Sequence, residues 1–390
     1  MLHLLFWLFG LAAIYSYFLY PLVLKLAGVF YGVKESGLDL GAGDSSRTVS
    51  LIVTAYNEER RIREKIENTL AIQFDSSRLE LIVASDCSED ATDAIVAEYA
   101  DRGVRLVRAS ERLGKENAQL AAIQIAMGDI LVFSDVATHI PEDALQKLER
   151  YFIDPGIGAV SSEDRFISKD GSVAGEGAYV KYEMWLRKQE SQLAGLVGLS
   201  GSFFAARKEI CQEWDIHSPS DFNTALNTAK VGMRAVSAPD VLGYYQDLAD
   251  SSKEYQRKVR TVIRGMTGLS RHKEVLSFNR FGLFSLQIVS HKLMRWLAPW
   301  FFIGFFIISA MIAGHSWFYS IIFIGQLAFY IAALLAQFLP DLRSVGAIKL
   351  IYFFVQVNVA LLDAAIKFLA GQRMTTWKPS AREFGGIYVL

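Results

Sequence analysis

Two stretches of this chain, residues 1–24 and 297–340, contain no Asp, Glu, Lys or Arg. A helix rises 1.5 Å per residue, so about 20 apolar residues cross the ~30 Å hydrocarbon layer of a bilayer. Residues 4–30, 294–313 and 317–339 meet that length, and 350–369 forms a fourth candidate interrupted by Asn358 and Asp363. An ionisable group inside a span faces a bundle interior or a polar path, or else marks a segment that is less than a full crossing. The first segment lacks the basic start and small-residue cleavage site of a signal peptide, so it is expected to be a retained anchor. Lys25 and Lys34 follow it, and the positive-inside rule then places the middle of the chain in the cytoplasm. Residues 278–291 are expected to add an interfacial helix, with Lys292 and Arg295 at the headgroup level. Two signals oppose each other at the C-terminus: four full spans put it across the membrane, whereas Arg373, Lys378 and Arg382 favour the cytoplasm.

Composition agrees with a chain of mixed character. Of 390 residues, 52% are hydrophobic and 21% charged, and the mean hydropathy is +0.24, high for a soluble globule. The stretch between the apolar ends has ordinary soluble composition, which excludes a protein that is membrane throughout. Three regions follow: an anchor over 1–34, a cytoplasmic domain over 35–275, and a C-terminal membrane region over 276–390 with a short tail. A net charge of −1 provides no global field for nucleic acid, so no nucleic-acid partner is expected. Two cysteines, Cys87 and Cys211, cannot build a disulfide framework or a four-cysteine zinc site.

In the middle region β-branched apolar runs alternate with helical periodicity. Residues 48–54, 79–84, 104–107 and 130–133 read as strands, with helices over 58–72, 90–100 and 116–127. That order predicts an α/β fold with a right-handed, doubly wound parallel sheet, whose ligands bind beyond the carboxyl ends of the strands. Polar, acidic loops stand at those ends: Tyr56-Asn57-Glu58-Glu59, Ser85-Asp86-Cys87-Ser88-Glu89-Asp90, and Ser134-Asp135-Val136-Ala137-Thr138. Helix capping accounts for Asp90, which directly opens a helix. It accounts poorly for Asp86 and Asp135, which directly follow apolar strands and offer a carboxylate to a ligand or cation. Neither a G-x-G-x-x-G nor a G-x-x-x-x-G-K-[ST] is present, so phosphate charge must be met by metal and basic side chains.

Seven motifs, in this order, carry a resemblance: TAYNEE (54–59), SDCSEDAT (85–92), LGKENAQ (113–119), FSDVAT (133–138), GLSGSFFAARKE (198–209), SDF (220–222) and RKVRT (257–261). Over residues 47–271 the chain resembles membrane-bound family 2 glycosyltransferases, relatives of the cellulose and hyaluronan synthases. The resemblance implies a GT-A fold, a Rossmann-like nucleotide-diphospho-sugar domain, joined to transmembrane helices. It implies that Asn57, Glu58 and Asp86 surround the nucleoside and that Lys115 lies near the nucleotide. Asp135 matches the first aspartate of the family's D-x-D metal motif, which implies Mg²⁺ or Mn²⁺; the second acid is replaced by Ala137. Asp221 matches the carboxylate that acts as general base, and Gly201 and Ser202 would border the acceptor.

Arg257, Arg260, Arg264 and Arg271 fall on one helical stripe. Arg257 and Arg260 match the family's Q/R-x-x-R-W motif near the departing diphosphate, whereas Thr261 replaces the tryptophan. For Arg264 and Arg271 a basic face on anionic lipid is an equal reading. The resemblance thus implies an inverting hexosyl- or N-acetylhexosaminyltransferase. Its partners would be a nucleotide-diphospho-sugar donor, a lipid-linked or growing glycan acceptor, and the lipids of a membrane, with a bacterial inner membrane the natural setting. Two alternatives stand beside it: a processive polysaccharide synthase, which Thr261 opposes, and a degenerate membrane scaffold or sensor, which Ala137 and Thr261 favour.

Overall fold

In the strand Val49–Ala55 (β1), Val49, Leu51, Val53 and Ala55 enter one apolar core and Ile52 enters another, so both faces of the strand are buried. A strand buried on both faces needs partners on both edges and cover on both sides. The computed structural model, which describes residues 1–31, 46–167, 178–246 and 251–374, provides them. Strands Leu79–Ser85 (β2) and Ile130–Asp135 (β4) pair with β1 in parallel, and Val104–Arg108 (β3) pairs in parallel with β2. Three further strands, Ile157–Ile167 (β5), Phe203–Arg207 (β6) and Arg234–Gln246 (β7), complete the order β3-β2-β1-β4-β6-β5-β7.

The four strands expected from the sequence are present and parallel. The sheet as a whole is mixed, because β6 runs antiparallel to both β4 and β5. The register of β4 on β6 sets Phe133 opposite Phe204, with ring centroids 4.9 Å apart, and Trp214 stacks on Phe133 at 5.0 Å. Reversing β6 has a functional consequence. The loop entering β6 arrives at the edge where β1, β2 and β4 end, so residues 198–202 join the acidic loops there.

Tertiary packing divides the chain into two units. One comprises Met1–Leu26, Ser251–Met266 and Leu286–Arg373; the other holds the sheet, within Ala27–Asp250, together with Thr267–Ser285. Four helices, lying wholly or mostly in the first unit, are long and apolar enough to cross a membrane: Leu2–Phe30, Leu283–His315, Trp317–Phe338 and Gly346–Leu369. Small residues let the first two approach closely: a Cβ on Gly10 would lie 3.0 Å from Phe305, and one on Gly304 would lie 2.3 Å from Phe9. Residues 278–291 differ from expectation. A short helix, Phe278–Phe281, stops at Gly282 (φ 52°), and the chain restarts at Leu283 as part of the long apolar helix, so Lys292 and Arg295 lie within that helix. The polar residues of Gly346–Leu369 are satisfied inside the unit. Asp363 accepts from Lys367 at 2.8 Å and from Tyr255 at 3.3 Å, and Asn358 donates to Phe354 O at 2.9 Å. Val259 and Ile263 of the helix Ser251–Arg271 pack on Ala360 and Ala364, which is why Ser251–Met266 groups with the apolar helices. Lys34, Lys378 and Arg382 lie outside the described residues.

Two positions in the sheet unit yield tests. The turn before β4 passes so close to β1 that a Cβ on Gly128 would sit 2.4 Å from the backbone nitrogen of Ser50. Gly128→Ala must displace backbone, and is expected to destabilise the protein by about 1–3 kcal/mol in thermal or denaturant unfolding. Lys65 lies on the helix Ile62–Leu70 between buried Ile62 and Ile66, and is itself fully buried. Its Nζ donates to Ser134 Oγ at 2.8 Å and to the Thr138 carbonyl at 2.5 Å. Burial, opposed by the charge of Asp135, pushes its pKa from 10.5 down to about 7. Between those values the unfolded chain binds more protons than the folded one, so this lysine makes stability rise with pH across that window. Relative to Lys65→Met, the wild type is expected to gain roughly 2–4 kcal/mol between pH 6.5 and pH 9.5. Parallel stability curves for the two proteins would show that Lys65 titrates normally.

Candidate active site

Asp86 directly follows β2, and its N–H donates to Ala55 O at the end of β1, 2.9 Å away. The residue is fully buried; Oδ1 accepts from Gly114 N–H at 3.1 Å, and Oδ2 has no hydrogen-bond partner among the described residues. Burial pushes the carboxyl pKa up, against the pull of the Gly114 N–H and the Arg112 charge. A buried acceptor without a donor is costly, and such an orphan marks a place where a ligand can supply one. Beside it the Arg112 guanidinium lies 3.9 Å over the ring of Tyr56, a flat surface of the kind that stacks a planar group.

Asn57 adopts φ 51° and ties the first two loops together. Its Oδ1 accepts from Glu89 N–H at 2.8 Å, and its own N–H reaches Ser88 Oγ at 3.2 Å. Glu58 is buried, both carboxylate oxygens accept from Arg61, and its N–H donates to Thr92 Oγ1 at 2.7 Å. The carboxylate of Glu58 therefore shapes the loop from within, while the exposed Asn57 and the buried Asp86 flank it.

Gly114 has φ 112°, a conformation that favours glycine, and starts the turn into the helix Lys115–Ile125. The Lys115 ammonium donates to Asp135 Oδ1 at 2.5 Å and to the Gly201 carbonyl at 2.7 Å. The Asp135 N–H donates to Ser202 O at 2.9 Å. Asp221 lies in the first turn of the helix Ser220–Lys230, and its Cγ and Oδ2 stand 3.7 Å from where a Cβ on Gly201 would be. Folding thus gathers Lys115, Asp135, Gly201, Ser202 and Asp221 around one exposed turn. Asp86 connects to them through Gly114, the residue before Lys115.

Behind the Asp135 turn lies the buried Lys65, and beside it Asp164 of β5, neither singled out from the sequence. Lys65 had a legible signal: it occupies the apolar stripe formed by Ile62, Ile66 and Thr69. Asp164 had none, because it reaches the site only through the mixed half of the sheet.

A divalent metal would have one protein carboxylate here. The Asp135 side chain is 26% exposed, with Lys115 on one oxygen, and Ala137 offers no second acid. Among the described residues no group of three or more His, Cys, Asp or Glu side chains forms a metal site. This donor set fits an ion that arrives with a diphosphate and takes most of its ligands from phosphate and water, as Mg²⁺ commonly does.

The arginines belong to different surroundings. Arg257, Arg260 and Arg264 lie in the unit of apolar helices, where burial and the neighbouring Arg264 and Arg257 push the Arg260 pKa down. Arg271 lies in the sheet unit and donates to Asp215 at 2.5 Å.

Comparison with known proteins bears on the family and the fold. Residues 50–214 match the family model described as glycosyl transferase family 2. An N-acetylglucosaminyltransferase of Mesorhizobium japonicum is 29% identical over 189 residues, 47% of this chain and 44% of that protein. A poly-beta-1,6-N-acetyl-D-glucosamine synthase of Staphylococcus aureus is 27% identical over 180 residues, 44% of this chain and 43% of the other. The matches thus span less than half the length of these curated relatives. Among solved structures, a mannosyltransferase from Pyrobaculum calidifontis, in complex with GDP-Man and Mn²⁺, superposes with a TM-score of 0.72. It is 22% identical, and the match covers 95% of this chain and 99% of that one, so the fold is shared. With the motifs in order and the loops assembled at one edge of the sheet, residues 50–214 form a glycosyl transferase family 2 domain of GT-A fold, in a chain that carries four helices long and apolar enough to cross a membrane.

Proposed function

We propose that the protein is an inverting, membrane-anchored transferase that moves a hexosyl or N-acetylhexosaminyl group from a nucleotide-diphospho-sugar to a lipid-linked or glycan acceptor. The observation that carries this reading is the turn at Gly201: a cation, a carboxylate beyond an apolar strand and a second, partly exposed carboxylate converge on it. In this reading the base of the nucleotide lies against Tyr56 and Arg112, with Asn57 and Glu58 forming the loop beside it. A donor N–H on the base meets the orphan Oδ2 of Asp86. Lys115 faces the diphosphate, and Asp135 would hold a divalent ion that neutralises charge on the leaving group.

Transfer then needs one proton acceptor. As the acceptor hydroxyl oxygen attacks the anomeric carbon, Asp221 takes its proton, and the bond from that carbon to the diphosphate oxygen breaks with inversion. Gly201, lacking a side chain, leaves room beside Asp221 for the acceptor, with Ser202 bordering it. By the family motif alone, Arg257 and Arg260 would serve the departing diphosphate, a role suited to the guanidinium fork. The names of the two curated relatives make an N-acetylglucosaminyl donor the first to test.

The test uses detergent-solubilised full-length protein, a panel of UDP-, GDP- and dTDP-sugars, and analysis of product length. Addition of single residues is expected with one donor; long polymer would establish the processive alternative, and inactivity with every donor would support a scaffold or sensor. Asp221→Asn keeps volume and capping ability but cannot accept a proton. Turnover is expected to fall roughly 10²- to 10⁴-fold while donor binding stays near wild type; wild-type turnover in the folded variant would remove the base assignment. The proposed orientation has its own check. A reporter fused after Lys34 is expected to read cytoplasmic, and a signal from the opposite side would separate the site from cytoplasmic nucleotide sugars.

A further inference from the structure

Asp164 is a carboxylate without an assigned role, half-buried in the sheet unit next to the proposed transfer site. Burial pushes its pKa up, against the pull of the Ser202 and Ser200 hydroxyls and of Arg187, while the charge of Asp135 pushes the same way as burial. Its oxygens are held by two serines. Ser200 Oγ lies 2.7 Å from Oδ1 and 2.8 Å from Oδ2, and Ser202 Oγ donates to Oδ1 at 2.6 Å. The two hydroxyls also touch each other at 3.0 Å. The start of the same turn is held independently: Ser200 N–H donates to Ser161 Oγ at 2.7 Å, and Arg187 donates to Ser161 Oγ at 2.8 Å and to Gly198 O at 2.9 Å.

Both anchored serines flank Gly201, and the main chain between them performs two tasks. The Gly201 carbonyl accepts from Lys115, and the Ser202 carbonyl accepts from the Asp135 N–H. A turn centred on glycine has no side chain of its own to fix it. Its geometry is set by the residues on either side, and their hydroxyls converge on one carboxylate. With its oxygens occupied in this way, Asp164 does not replace the acid missing at Ala137.

We propose that Asp164 is a positioning residue of the transfer site: through Ser200 and Ser202 it sets the Gly201–Ser202 carbonyls that hold Lys115 and Asp135 where the donor diphosphate binds. This rests on the functional reading above. It makes a split expectation, because Asp86 and Gly114 on the nucleoside side lie outside the Asp164 network. Removing the carboxylate therefore weakens recognition of the diphosphate and leaves recognition of the nucleoside unchanged.

The experiment measures binding of UDP and UMP, of GDP and GMP, and of dTDP and dTMP, by calorimetry to full-length wild type, Asp164→Asn and Ser202→Ala, with Mn²⁺ present. For the nucleotide that the wild type prefers, the diphosphate-to-monophosphate affinity ratio is expected to fall about tenfold in Asp164→Asn, a change of about 1.4 kcal/mol. A smaller fall is expected in Ser202→Ala, which removes one of the two anchors. The KM for the donor sugar should rise with the diphosphate Kd. A folded Asp164→Asn protein with an unchanged ratio overturns the proposal, since a merely structural residue would weaken both ligands alike or neither. Should Asp164→Asn fail to fold, Ser202→Ala decides by the same ratio. Wild-type protein that binds no nucleoside diphosphate would instead overturn the functional reading, and this inference with it.

Discussion

Parallel pairing of β1 on both its edges is the constraint on which the sheet unit depends. β1 is buried along its whole length, and its neighbours β2 and β4 run the same way, so three chain ends emerge on one edge of the sheet. Each of those ends must turn outward into a polar loop, since the strands themselves are apolar and covered on both faces. Asp86 and Asp135 stand at two of these exits. Their placement on one edge of the sheet follows from strand order.

Cations reach the Asp135 exit from other elements. Lys115 reaches Asp135 from the start of a helix, and Lys65 lies beneath the same turn with its ammonium on Ser134 and Thr138. The charge of Asp135 raises the cost of charging Asp164, and serine hydroxyls and Arg187 offset that cost. Lys115 places a cation directly against the Asp135 carboxylate, whereas burial makes the charge of Lys65 harder to keep.

Elsewhere the same economy of contacts separates groups that look alike in sequence. Four arginines share a helical stripe, yet Arg271 is paired with Asp215, whereas Arg257, Arg260 and Arg264 lie together in the unit of apolar helices. Asp363, an acid within an apolar helix, is answered by Lys367 one turn on and by Tyr255. Such pairing lets an ionisable residue reside in a long apolar helix without an open polar path beside it.

Much of this protein was legible in its sequence because the signals are local. Runs without charge mark the apolar helices, β-branched runs mark β1 to β4, and short motifs mark Asp86, Lys115, Asp135 and Asp221. Local patterns carry no information about direction across a sheet, so the reversal of β6 was not visible, although it delivers Gly201 and Ser202 to the site. Nor was the break at Gly282, which turned an expected interfacial helix into the start of a long apolar one. Glu58 and Glu59 are adjacent and chemically alike in sequence; only packing decided that Glu58 would be buried against Arg61. Lys65 declared itself by standing in an apolar stripe, while Asp164 did not, since its partners lie far along the chain at Ser200 and Ser202. Composition and spacing fixed which residue types were available and which elements would carry them. The choice of carboxylate that meets solvent, the one held by serine and the one neutralised by lysine depended on distances of a few ångströms across strands, which only the tertiary structure sets.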